Sequence, residues 1–162
     1  MRTIHFLALI LFACNLSAVE TLRLPNIFGD KMVLQRGKPV RVWGWAKPNV
    51  EVTVAFAGQS KTTKANGEGK WTLQLDKLTT SFKGSELAVS SGTEKFTLSN
   101  LLVGEVWVCS GQSNMQRSLH YVDNRDQEVA AANYPNIRFF DVPRKASGEP
   151  QDDVDFSHSR DP

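Results

Sequence analysis

Ser113 is the residue from which chemistry can be argued in this chain. Val106-Trp107-Val108-Cys109 is a run of four apolar residues. Such a run suits a strand buried on both faces, as in a helix-covered parallel sheet. It passes straight into Ser110-Gly111-Gln112-Ser113-Asn114, a cluster too small and polar to prolong the strand, so a turn is expected there. A serine just past the C-terminal end of a first parallel strand stands where open α/β sheets gather their ligands. A following helix would set free backbone N–H groups and a positive dipole end beside it. Those are the needs of a nucleophilic serine and of one side of an oxyanion hole. The structural alternative for the same residue is a plain helix N-cap.

The flanking residues narrow the chemistry. Gly111-Gln112-Ser113 begins like a G-x-S-x-G nucleophile elbow, but Asn114 and Met115 stand where that motif needs x-Gly, which argues against an α/β-hydrolase. A serine also needs a base to take its proton, and the chain has three histidines, His5, His120 and His158. None of them has ligand-like spacing to Cys or acidic residues, so no metal site is expected and no cofactor is called for.

Three stretches together carry a resemblance: Leu24-Pro25-Asn26-Ile27-Phe28-Gly29-Asp30-Lys31-Met32-Val33-Leu34-Gln35, Val42-Trp43-Gly44-Trp45-Ala46, and Glu105-Val106-Trp107-Val108-Cys109-Ser110-Gly111-Gln112-Ser113-Asn114-Met115. Over about residues 22–143 the chain resembles the sialate O-acetylesterase family of SGNH-type carbohydrate esterases, in its N-terminal part only. The resemblance implies hydrolysis of O-acetyl groups on sialic acid or related sugars, with Ser113 catalytic and Gln112 and Asn114 beside it as substrate or oxyanion contacts. It also implies a His and an Asp near the C-terminus of a much longer chain, and further oxyanion donors from a backbone glycine and an asparagine. No block here matches those. His120 reads as a surface or substrate-side residue. Asp155-Phe156-Ser157-His158 has the D-x-x-H spacing by chance, too soon after the nucleophile for a completed sheet to present it. The chain should therefore be inactive as it stands. The alternative is a non-catalytic exported sugar-binding or structural β-sandwich module.

The elements that would position this turn are legible around it. Residues 1–18 read as a secretory signal, with Arg2 as the positive start, Phe6 to Ala13 as the apolar core and Ser17-Ala18 as the exit. A buried N-terminal element is the plainer alternative. The apolar run is far short of the roughly 20 residues that cross a bilayer. Leu11-Phe12-Ala13-Cys14 also looks like a lipoprotein box, with Cys14 as a lipid anchor. Export to the periplasm or the extracellular space is the expectation. Cleavage after Ala18 leaves only Cys109, so no internal disulfide can form, and inside an apolar strand Cys109 reads as a small buried hydrophobe.

Residues 19–104 read as an antiparallel β-sandwich. Val50, Val52, Val54 and Phe56 alternate with polar or small residues, and so do Val40 and Val42, Trp71 to Leu75, Leu87 and Val89, and Phe96 and Leu98. Turn signals fall at Gly37-Lys38-Pro39, Lys47-Pro48-Asn49, Ala57-Gly58, Asn66 to Gly69 and Ser91-Gly92. Trp43, Trp45 and Trp71 read as sugar platforms or, for at least two of them, as core. Residues 105–162 read as the start of an α/β SGNH-type domain. Its first strand–helix–strand unit runs from Val106 to Cys109, through a helix near Glu128 to Ala132 with a capping box at Asn124 and Gln127, to Ile137–Val142. With 41% hydrophobic and 22% charged residues, a net charge of +2 and no basic run, a soluble globular chain is expected and nucleic acid is an improbable partner.

Overall fold

Alternation of apolar and polar residues becomes seven strands in the computed structural model, which describes residues 21–155. They are β1 (Val33–Gln35), β2 (Val40–Trp45), β3 (Glu51–Phe56), β4 (Gln59–Lys64), β5 (Lys70–Leu75), β6 (Ser81–Ser91) and β7 (Glu94–Gly104). Five pair in the order β1-β7-β6-β3-β4, and β2 pairs with β5 in a second sheet. In β3, Val52, Val54 and Phe56 point inward while Glu51, Thr53 and Ala55 point away, as a period of two requires.

One core cluster draws on both sheets. Val42 and Leu75 from the two-stranded sheet join Val52, Val54, Phe56, Leu87, Val89 and Leu101 from the five-stranded one, and each of these is essentially shielded from solvent. Trp45 and Trp71 are buried, and Trp43 is half-buried against the core with its ring edge-on to Phe28 at 5.0 Å. Core filling is thus the structural role of two of the three tryptophans. Arg23 lies over the Trp45 ring, 3.6 Å from its centroid.

The pairing is antiparallel except at one place. β1 runs parallel to β7, with Val33 opposite Leu102 and Gln35 opposite Gly104, which corrects the purely antiparallel expectation. A three-residue strand leaves too short a pattern to reveal its direction. The β3–β4 hairpin closes through Ala57 and Gly58 at φ of 50° and 80°, the left-handed pair that matches strand twist in a two-residue hairpin. The β6–β7 ladder shifts register between Ser81, Ser85 and Leu87. At that irregularity a Cβ on Gly84 would fall 2.4 Å from the Asn100 side chain, so the close approach depends on glycine.

After Gly104, no further strand occurs among the described residues; two 3₁₀ turns (Ser113–Gln116 and Leu119–Tyr121) and α1 (Arg125–Ala131) follow. The expected strands at Val106–Cys109 and Ile137–Val142 are therefore corrected to chain that forms no strand. A strand exists only by its ladder, and neither segment has a neighbour among the described residues to complete one. α1 lies where the helix was expected, but without the capping box. Asn124 is left-handed, at φ 58°, with no side-chain cap, and its carbonyl accepts the N–H groups of Gln127 and Glu128 instead. Among the described residues no helix is long and apolar enough to cross a membrane. The leader and the Cys14 box lie outside the described residues.

Candidate active site

The approach to the candidate turn is fixed where β7 ends. The Gln35 amide bridges two neighbours, its oxygen accepting the Val106 N–H at 2.9 Å and its nitrogen donating to Glu105 at 3.0 Å. Arg36 Nε donates to the other Glu105 oxygen at 2.6 Å. These donors hold the Glu105 carboxyl below its ordinary range, the Gln35 bond first and the Arg36 bond next. Beyond this clamp the chain leaves the sheet. Trp107 is 82% exposed and Val108 92%, and Cys109 is exposed too, which corrects its reading as a buried hydrophobe: without a flanking sheet nothing covers it.

Gln112 is extended and caps a single 3₁₀ turn opening at Ser113. The Met115 N–H donates to the Gln112 carbonyl at 2.9 Å. The N–H groups of Ser113 and Asn114 have no acceptor among the described residues, as expected for the first donors of a helical turn. A Cβ on Gly111 would meet Met115 Cγ at 2.8 Å, so a side chain there would require Met115 to shift. Gln112, Ser113 and Asn114 are all exposed. The turn thus offers a hydroxyl and two open backbone donors within three residues, which could accept a developing oxyanion.

The structure brings those three residues together and joins no base to them. His120 sits exposed in the second 3₁₀ turn, and no hydrogen bond links it to Ser113 among the described residues. Asp155 pairs with Lys145; His158 and His5 lie outside the described residues. No group of three His, Cys, Asp or Glu that could hold a metal occurs among the described residues.

Sequence reasoning missed the anchors of this segment. Arg138 is half-buried and returns residues 137–142 to the strands, donating to the carbonyls of Lys31 at 2.5 Å and Asn100 and to Asn100 Oδ1 at 3.1 Å. Further along, Asp153 accepts the Asn26 N–H at 2.8 Å and Asp152 pairs with Lys70 at 2.8 Å. A lone arginine or glutamine between apolar runs carries no pattern; the only hint was Gln35, which closes the first of the three family-like stretches.

No family model matches the chain. A solved carbohydrate acetylesterase from Xanthomonas citri superposes with a TM-score of 0.75 at 37% identity, over 80% of this chain and 29% of that one. Fold and sequence together make this chain a homologue of carbohydrate acetylesterases. Sialate O-acetylesterase of Mus musculus is 33% identical over 166 residues, 94% of this chain and 31% of the relative. That of Homo sapiens is 33% identical over 160 residues, 90% of this chain and 30% of the relative. The chain is homologous to the sialate O-acetylesterase family, and it spans about three-tenths of the length of the curated relatives it matches.

Proposed function

We propose that this chain is the N-terminal part of a carbohydrate O-acetylesterase, in which Ser113 is the nucleophile for O-acetyl groups on sialic acid or a related sugar. The observation that carries the reading is the exposed Ser113 hydroxyl at the head of a turn with two uncommitted N–H groups, in a chain a third identical to sialate O-acetylesterases. In this reaction the Ser113 oxygen adds to the acetyl carbonyl and a base takes its proton. The oxyanion leans on the N–H groups of Ser113 and Asn114, with Gln112 and the Asn114 side chain on the substrate. The sugar hydroxyl then leaves with that proton, and water releases acetate from the serine. Residues 19–104 act as a β-sandwich module and residues 105–162 as the first part of an SGNH-type domain. The exposed apolar side chains of Trp107, Val108 and Phe139 are the surfaces a parallel sheet would cover. Export through the 1–18 leader, with Cys14 as a lipid anchor in the lipoprotein case, brings the module to acetylated glycans outside the cytoplasm.

No base is joined to Ser113 among the described residues, and on this reading the 162-residue chain is expected to be silent. Triads that lose a member keep only about 10³–10⁴-fold acceleration over water, and that remnant depends on the rest of the site. The chain should hydrolyse 4-nitrophenyl acetate no faster than its Ser113→Ala variant. A longer form with a full sheet, His and Asp should be active and lose that activity in Ser113→Ala. Ser113-dependent turnover by the short chain would make His120 or His158 the base and refute the silence. Persistent activity in the long Ser113→Ala form would refute the nucleophile.

A further inference from the structure

A groove of about 530 Å³ lies away from Ser113, on the two-stranded sheet and the end of β4. That is room for one or two sugar rings. Trp43 and Trp71 line it with Arg41, Lys64, Lys70 and Asn66, and no Asp or Glu does. Trp43 is half-buried, its ring plane set by the edge contact with Phe28. Such a fixed ring suits the apolar C–H face of a pyranose. Trp71 is 3% exposed, and its indole N–H is buried without any hydrogen-bond partner among the described residues.

The charge says which sugar. Arg41 and Lys64 make no ion pair with another described residue, while Lys70 holds the carboxylate of Asp152 at 2.8 Å. One cation of the rim thus already grips a carboxylate. The Asn66 side chain accepts the N–H groups of Glu68 and Lys70, at 3.0 and 2.9 Å, which fixes the turn at that end of the groove.

We infer that this groove is a second carbohydrate site, independent of Ser113, which binds a pyranose bearing a carboxylate. The ring stacks on Trp43 and the carboxylate lies toward Arg41 and Lys64. The site serves to hold the protein on an acidic glycan and takes no part in bond breaking.

Isothermal titration of the 162-residue chain tests this with N-acetylneuraminic acid, glucuronic acid and neutral glucose at low salt. Saturable binding of one or both acids is expected, with glucose at least tenfold weaker. Arg41→Gln with Lys64→Gln should weaken the acid at least tenfold at an unchanged melting temperature. Trp43→Ala should do the same, and if it does not fold the charge variant alone decides. Ser113→Ala should bind as the parent does, so the outcome is separate from that of the esterase assay. Absence of saturable acid binding, equal affinity for glucose, or an unaltered double variant would each overturn the inference. Loss of binding in Ser113→Ala would move the site to the turn and overturn it as well.

Discussion

Replacing Arg138 by alanine should loosen the segment after the sheet without melting the sheet itself. Its guanidinium donates to the Lys31 and Asn100 carbonyls and to the Asn100 side chain, and grazes the Met32 carbonyl at 3.4 Å. Hydrogen bonds from a charged donor contribute about 1.5–3 kcal/mol when shielded. Arg138 is only half-buried, so water competes for these donors and the whole set is worth about 1–2 kcal/mol. That raises local opening roughly 5- to 30-fold. The core cluster holds no residue of this segment, so the loss stays local. Native-state hydrogen exchange reads it directly. The Lys31 N–H bonded to Ser99, the Leu102 N–H bonded to Met32 and the Ile137 N–H bonded to Tyr134 should exchange faster by that factor, while the amides of β3 and β6 keep their rates. Equal acceleration in β3 and β6, or unaltered exchange at Lys31 and Ile137, would refute the reasoning.

Phe56→Ala removes a 2% exposed ring from the shared core and should lower unfolding stability by about 3–5 kcal/mol in urea; a loss under 1 kcal/mol would place Phe56 outside the cooperative core. Gly58→Ala forces a side chain into φ 80° and should cost about 1–2 kcal/mol in thermal unfolding, with an unchanged melt counting against the hairpin geometry. Asp30 accepts the Ser99 N–H at 2.6 Å and the Ser99 hydroxyl at 3.0 Å, and these bonds, the backbone one first, hold its carboxyl below its ordinary value. A depressed folded pKa means stability fully present above the unfolded value and lost as pH falls through the folded one. Urea midpoints should therefore drop below the ordinary carboxylate range, and Asp30→Asn should flatten part of that drop; an identical acid slope in the variant would exclude Asp30.

The strands that the sequence made legible are those whose inner faces carry branched or aromatic residues. β3 is the clearest, since Val52, Val54 and Phe56 meet the core from alternate positions. β4 passed unseen because Gln59-Ser60-Lys61-Thr62-Thr63-Lys64 has no apolar residue at all. It forms because its partner β3 supplies a full register from Glu51–Lys64 to Phe56–Gln59, an example of pairing overriding propensity. The opposite failure lies at Val106–Cys109, where an apolar run promised a strand and found no ladder. At the candidate site, small residues marked the turn at Ser113, whereas the Gln35 clamp and Arg138 are long-range contacts between residues separated by 71 and 107 positions. No local pattern encodes those.

The two rims of the five-stranded sheet have a consequence for how this protein behaves when crowded. An open sheet edge is a template on which a second molecule can add its own strand. One rim here is β4, which carries Lys61 and Lys64 along its six residues, with Lys61 paired to Asp76 at 2.8 Å. A second β4 laid against it would bring lysines face to face and strip them of water. The other rim is β1, only three residues long and flanked by the charged Arg36 and Glu105 pair. Neither rim offers the long, flat, uncharged run that propagates a fibril. Edge-to-edge strand addition at this sheet is therefore disfavoured, its polar strand serving as a guard on that rim.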